Sequence, residues 1–276
     1  SNTGSLRYDG AASVSGTVER FVTGGAIGSI PATKHYVSPA VSSSTGAALY
    51  DATLGGYNIY RYNNAWVRVY SGTSLTAGQG YTVNYTANKT ISFTGTLNNG
   101  TISPSITNTD LAWNLLGNPY PCAISASSFI SGNTKTYGTL YIWDQTATNT
   151  ADYATCTGGG CVANSHSGNH GTPNGNIGSG QGFFVQSKGT GSTATFDNSM
   201  KTNTNTQFFI LDDITIQRCY INITDPKNKM NEVLIAFLEG ATSGFDDKYD
   251  GMKYPSNDSL KLYSQIDNDS VKYIIQ

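Results

Sequence analysis

Cys156, Cys161, His166 and His170 are the only clustered residues in this chain with metal-ligand side chains. They read Cys-x4-Cys-x4-His-x3-His. Structural zinc sites usually open on a tighter cysteine pair and leave a longer gap before the histidines. An oxidising setting also favours a disulfide over zinc thiolates. The preferred reading is therefore a Cys156–Cys161 disulfide closing a small loop, with His166 and His170 solvated among Ser, Gly and Asn. No metal and no cofactor is expected. The other two cysteines, Cys122 and Cys219, are candidates for a second bridge between distant parts of the chain. Four cysteines allow three connectivities, and four unpaired thiols are the alternative.

Other patterns that look chemical have simpler explanations. Gly78-Gln79-Gly80 and Gly180-Gln181-Gly182 resemble phosphate-binding loops, but no Lys-Ser/Thr and no helix follow, as that chemistry requires. Each opens a strand instead, so a turn needing positive φ is expected. Asp246, Asp247 and Asp250 lack the alternating oxygen ligands and terminal Glu of a calcium loop and enclose Lys248. They are read as a solvated turn whose carboxylates cap local backbone. There is no Gly-x-Ser-x-Gly elbow, and His35 lies in a strand-like run. The three glutamates, Glu19, Glu232 and Glu239, are far apart. No catalytic residue is nominated, and the chain is not expected to be an enzyme. Among the aromatics crowded over 57–85, Tyr60, Tyr62 and Trp66 are the candidates for an outward-facing binding surface, since flat amphipathic rings suit sugars and protein partners. The competing assignment is core and cross-strand packing.

The elements that must position these residues are strands. The chain has 276 residues, 38% hydrophobic and only 12% charged, with 31 glycines and 18 tyrosines. An ordinary soluble domain carries about 25% charged residues. Few charges with abundant Gly, Tyr and small polar residues describe short strands and turns. The net charge of −2 offers no field for nucleic acid. The longest apolar run, Val233 to Leu238, is far short of the ~20 residues that cross a bilayer. The chain starts at Ser1 without Met, read as a leader already removed or a piece of a larger protein. Val67 and Val69 alternate with Trp66, Arg68 and Tyr70, and Leu260 and Leu262 with Lys261 and Tyr263. Ile214 to Ile223 alternates with a one-residue slip that predicts a bulge. Ser125 to Ile130 fits a single helical turn.

An internal repeat organises the first 200 residues. Leu75-Thr-Ala-Gly-Gln-Gly-Tyr-Thr-Val83 answers Ile177-Gly-Ser-Gly-Gln-Gly-Phe-Phe-Val185, offset 102 (180 − 78). Phe93 answers Phe196 at offset 103. Upstream, Ile59-Tyr-Arg-Tyr-Asn63 answers Leu140-Tyr-Ile-Trp-Asp144 at offset 81, and His35-Tyr-Val-Ser-Pro39 answers Leu115-Leu-Gly-Asn-Pro119 at offset 80. The second copy thus carries an insertion of 21 residues (102 − 81), placed within 145–173 and bearing Cys156 and Cys161. The expected fold is all-β, in tandem β-sandwich or jelly-roll-like units. Two are repeats, over 1–107 and 108–203; the third, over 204–276, is smaller, more charged and short of a final strand.

Trp113-Asn-Leu-Leu-Gly-Asn-Pro-Tyr-Pro121, Leu140-Tyr-Ile-Trp-Asp144, Ile177 to Val185, Phe196-Asp-Asn-Ser-Met200 and Ile235 to Asp250 together resemble a known region. It precedes the C-terminal sorting domain in large Bacteroidetes proteins secreted by the type IX system. The resemblance implies an extracellular or outer-cell-surface location. It also implies the company of other domains of a parent protein, such as those of adhesins and surface enzymes. Asp258-Ser259-Leu260 and Asp269-Ser270-Val271 match the short pattern on which such exported proteins are O-glycosylated, at Ser259 and Ser270.

The functional expectation is a non-catalytic surface module: adhesin, fibre or stalk. Its expected partners are other domains of the parent, further copies of itself, or glycans, with no nucleic acid and no membrane insertion. The alternative is a carbohydrate-binding accessory module of a secreted enzyme.

Overall fold

The computed structural model describes residues 5–25, 33–54, 58–62, 64–144, 152–163, 171–203, 217–226, 229–238, 240–254 and 260–276. It is nearly all β, with 44% strand and 6% helix arranged in several antiparallel sheets.

In the first unit, β1 (Ser15–Val22) pairs with β6 (Lys89–Thr96) as a two-stranded sheet. Opposite it lies a four-stranded sheet in the order β2-β5-β3-β4, from β2 (Thr33–Val37), β3 (Ile59–Tyr62), β4 (Trp66–Val69) and β5 (Tyr81–Tyr85). Strand alternation sends one side chain in two inward. Val37, Ile59, Val69, Val83, Ile91 and Phe93 accordingly meet in one buried core. His35 is on the core-facing register of β2, where its Nε2 is 2.6 Å from the Thr23 carbonyl oxygen.

The second unit repeats this plan. A five-stranded sheet runs β11-β10-β9-β13-β7, from β7 (Asp110–Gly117), β9 (Leu140–Asp144), β10 (Asp152–Thr157), β11 (Gly160–Val162) and β13 (Gly182–Lys188). A small sheet joins β8 (Ile124–Ser125) to β12 (Asn176–Ile177). Helix α1 (Ala126–Gly132) is the expected turn, its start capped by Ser125, whose Oγ accepts from the Ser128 N–H at 3.2 Å. Leu116, Leu140, Ile142, Phe129, Phe183 and Phe196 fill its core.

Register makes the duplication concrete. Tyr60 of β3 pairs with Thr82 of β5, and Tyr141 of β9 pairs with Phe184 of β13. Those are the sequence offsets 81 (141 − 60) and 102 (184 − 82). Two boundaries move. Ile102 and Ile106 hydrogen-bond to Phe196 and Ser192 and belong to the second core, so the second unit begins near Gly100, not at residue 108. The insertion is also split. Trp66 and Val69 of β4 pair with β3 as Tyr153 and Cys156 of β10 pair with β9, at offset 87 (153 − 66). Tyr153 to Cys156 therefore occupies the place of β4, and the surplus falls on either side of β10.

The third unit is a sheet in the order β14-β15-β17-β16, from β14 (Gln217–Thr224), β15 (Met230–Phe237), β16 (Gly251–Met252) and β17 (Tyr273–Ile275). Leu234, Ile274 and Ile275 cluster with Val162, which places this unit against the added strand β11. β14 pairs with β15 in continuous register from Gln217 to Thr224, and residues 214–216, where the expected slip begins, lie outside the described residues. One local expectation is corrected. Leu260 to Tyr263 forms no strand: the Leu260 carbonyl and the Leu262 N–H are taken up by the Asn231 side chain instead of a neighbouring strand.

Candidate functional site

The two Gly-Gln-Gly segments face each other's units. In the first, the Gly80 N–H donates to the Leu115 carbonyl at 3.0 Å, and Gln79 Nε2 donates to the same oxygen at 2.6 Å. The Gly117 N–H returns a bond to the Gly78 carbonyl at 3.0 Å. In the second, Gly180 accepts from the Ser38 N–H at 2.9 Å, and Val37 bridges to Gln181. Leu115–Pro119 and His35–Pro39 are the matched landmarks of the repeat, so each copy hands its motif to the other's landmark.

The glycines have two separate reasons to be there. Gly78 and Gly180 sit at φ +81° and +64°, the left-handed region where a Cβ is strained. Gly80 and Gly182 answer to close approach. A Cβ on Gly182 would lie 2.6 Å from Tyr36 Cβ, and one on Gly80 would lie 2.5 Å from the Leu116 carbonyl oxygen. The expected turn is present, and no phosphate cradle is formed.

Beside this joint lies an aromatic seam. Tyr36, Tyr62 and Trp66 share the outer face of the first unit's four-stranded sheet. Trp113, Tyr141, Trp143, Tyr153 and Phe184 come from the outer face of the second unit's sheet, and Tyr254 from the third. Tyr36 is 5.5 Å from Phe184 edge-on and 5.7 Å from Trp143. Tyr62 meets Phe184 at 5.4 Å and Trp66 at 5.1 Å, both edge-to-face. Tyr153 stands 4.6 Å from Tyr254. Each such pair contributes roughly 0.5–1.5 kcal/mol beyond its buried area. The Tyr36 and Tyr153 hydroxyls are 2.9 Å apart, and burial pushes the Tyr36 phenol well above its ordinary value. Lys34 reaches the open edge, its Nζ 5.4 Å from the Trp143 ring and 6.0 Å from the Trp66 ring. Burial lowers the pKa of that amine below its ordinary value.

Of the three aromatic candidates, Tyr62 and Trp66 belong to the seam, while Tyr60 is half-buried beside Arg68. The 77° angle between Tyr62 and Trp66 is not the coplanar row that a sugar platform requires. Trp66 alone remains substantially open, at 44% exposure. The second unit's half of the seam passed unnoticed in the sequence. Its signal was present: Tyr141 and Trp143 alternate with Leu140 and Ile142, so one face of a buried strand is wholly aromatic.

The cysteines divide as half expected. Cys156 and Cys161 form a disulfide between directly opposed residues of β10 and β11. Cys122 and Cys219 do not pair. Cys122 is a free thiol in the second core, pushed up to about 11 by burial, whereas Cys219 is exposed on β14 of the third unit. The disulfide hairpin is where the third unit docks. Arg218 Nε donates to the Gly159 carbonyl at 3.0 Å, and the Ala163 N–H donates to buried Glu232 at 3.2 Å. The Gly158 N–H donates to the Lys248 carbonyl at 2.8 Å. A Cβ on Gly160 would stand 2.9 Å from Leu234 Cδ2, which explains the glycine run between the cysteines.

The aspartate loop behaves as a capped turn. Asp246 accepts from the Thr242 N–H, Asp250 accepts from the Asp246 N–H, and Lys188 pairs with Asp247. Among the described residues, no three His, Cys, Asp or Glu side chains converge on a metal position. His166, His170 and Ser259 lie outside the described residues. Ser270 is exposed, beside the turn at Asp267–Asn268.

A family described as a domain of unknown function, DUF8693, matches residues 29–276. The chain belongs to the DUF8693 family. The match spans all three units except residues 1–28, which include the strand β1. No curated protein and no solved structure matches the chain.

Proposed function

We propose that this DUF8693 chain is a non-catalytic structural module of an exported surface protein, serving as a stalk, fibre or adhesin region. One observation carries the reading: the motifs that most resemble ligand sites are consumed in joining units. Both Gly-Gln-Gly loops bond across the repeat, and the aromatic faces pack on one another. A load-bearing module needs rigid joints, and burying both faces at a joint supplies them. The buried disulfide and low charge fit an oxidising exterior, and the resemblance to the type IX secretion region points the same way. The test is surface biotinylation of cells producing the parent protein, together with single-molecule stretching. Labelling from outside and one joint unfolding event for the first two units are expected. Labelling only after lysis, or two independent force peaks, would reject the proposal.

The second reading, a carbohydrate-binding accessory module, rests on the open end of the seam. There Trp66, half-buried Trp143 and Lys34 lie side by side. Glycan-array binding that disappears in Trp66→Ala would favour it over a purely structural role.

A further inference from the structure

Lys201 closes the second unit, and its side chain has no solvent exposure. Its Nζ donates to Asn99 Oδ1 at 2.7 Å and to the Tyr8 carbonyl at 2.7 Å, and stands 3.4 Å from Asp9 Oδ1. The Tyr120 ring centroid lies 4.4 Å away. Asn99 follows β6 at the end of the first unit. Lys201 thus brings the end of the second unit onto the end of the first.

Asn99 precedes Gly100, the context in which a side-chain amide is ordinarily attacked by the next backbone nitrogen. Here the Gly100 N–H donates to Asn198 Oδ1 at 3.0 Å, which ties that nitrogen to another acceptor. The amide nitrogen of Asn99 is held by the Gly10 carbonyl at 2.6 Å. The amine of Lys201, itself without solvent exposure, is thus the nucleophile presented to this amide.

We propose that Lys201 and Asn99 form an intramolecular amide cross-link that staples the first unit to the second. Asp9 takes one proton from the lysine ammonium, and the free amine attacks Cγ of Asn99. The new Nζ–Cγ bond forms as the Cγ–Nδ2 bond breaks, and Nδ2 departs as ammonia, protonated by Asp9 to ammonium. Proton and atom counts balance, and no oxidant is required. Fixed neighbours of this kind replace a bimolecular encounter by an intramolecular one. Arg7 hydrogen-bonds Asp9 and holds its carboxyl below the ordinary value, so Asp9 is a weak base and the link accumulates slowly. Tyr120 and Cys122, which also line the site, are both pushed up by burial, and the Asp197 carboxylate acts on Tyr120 in the same direction.

The test is intact-mass measurement of the purified chain before and after incubation in mildly alkaline buffer, followed by peptide mapping. The wild type should lose one ammonia relative to its disulfide-bonded sequence and yield a branched peptide joining the Asn99 and Lys201 segments. Lys201→Arg, which keeps the charge, and Asn99→Ser should both retain the full mass, with circular dichroism confirming that they fold. A wild type of full mass after incubation overturns the proposal. So does an ammonia loss that maps to a linear Asn99–Gly100 peptide and persists in Lys201→Arg. The readout is independent of where the protein resides and what it binds, so it can fail while the structural role stands.

Discussion

The two repeats differ most at one sheet edge. In the first unit β4 ends the sheet, leaving Trp66, Val67 and Tyr70 exposed. In the second, β10 fills the same place but is flanked by β11, and Tyr153, Ala154 and Cys156 are buried. A short cysteine-bearing hairpin has converted an open edge into a docking face for the third unit. An edge strand offers unpaired backbone to any partner. The duplication therefore yields one copy that is finished by its neighbour and one whose edge is still open.

A second contrast sits at the joint. Asn118 and Ser38 occupy equivalent positions, 80 residues apart (118 − 38). Asn118 is fully buried and makes four bonds. Its Nδ2 donates to the Cys122, Ile177 and Gly178 carbonyls, and its Oδ1 accepts from the Tyr120 N–H. Ser38 is equally buried, but its Oγ has no partner among the described residues.

The strongest way to break the symmetry of the copies is to crowd the joint. Gly182→Val should destabilise the chain by about 3 kcal/mol through overpacking against Tyr36, and Gly80→Val by a similar amount against Leu115 and Leu116. The double variant should cost less than the two singles combined, because both open one joint. Thermal melts decide it; additive losses would mean the two motifs act separately.

Asn118→Ala and Ser38→Ala should diverge. The first removes the Asn118 amide from the Cys122 and Ile177 carbonyls and from the Tyr120 N–H, while the Gly178 carbonyl keeps the Gln181 N–H, and should cost about 2–3 kcal/mol. The second removes an unpartnered hydroxyl and should be neutral or slightly stabilising. Equal losses in denaturant titrations would show that the two positions do the same job.

Removing the disulfide tests the edge contrast. Cys156→Ser with Cys161→Ser opens a loop of only a few residues, so a loss of about 2 kcal/mol is expected. Hydrogen exchange should rise in β10, β11 and β15 and stay unchanged in β1 to β6. Uniform loosening would contradict a docking role for the hairpin.

The smallest effect concerns acid. The Lys89 hydrogen bond and the Thr53 hydroxyl hold the Asp51 carboxyl at about 2, below its ordinary value. A depressed carboxylate stabilises the folded state above its unfolded pKa, and that contribution disappears as pH falls through the folded value. Wild type and Asp51→Asn should therefore differ at neutral pH and converge between about pH 4 and pH 2. Asp51 is near the surface, so added salt should shrink the difference. A pH-independent gap would assign Asp51 a purely conformational role.

Much of this organisation was legible in the sequence. Strand alternation, the order of the repeat landmarks, the turn glycines and the Cys156–Cys161 pair all follow from chain-local geometry. Side-chain period, φ preference and short loop closure are recorded in consecutive residues. What the sequence could not say is which surfaces meet. Glycine at a positive-φ turn and glycine at a close approach look identical in a string, so Gly78 and Gly80 could not be told apart. Cys122 and Cys219 could be paired on paper because spacing carries no direction; folding sends one into a core and the other to an exposed strand. That each copy's Gly-Gln-Gly closes on the other copy, and that Tyr62 and Trp66 face Phe184, was decided by the tertiary structure alone. Those contacts join residues dozens to more than a hundred positions apart, held by packing that no local propensity encodes.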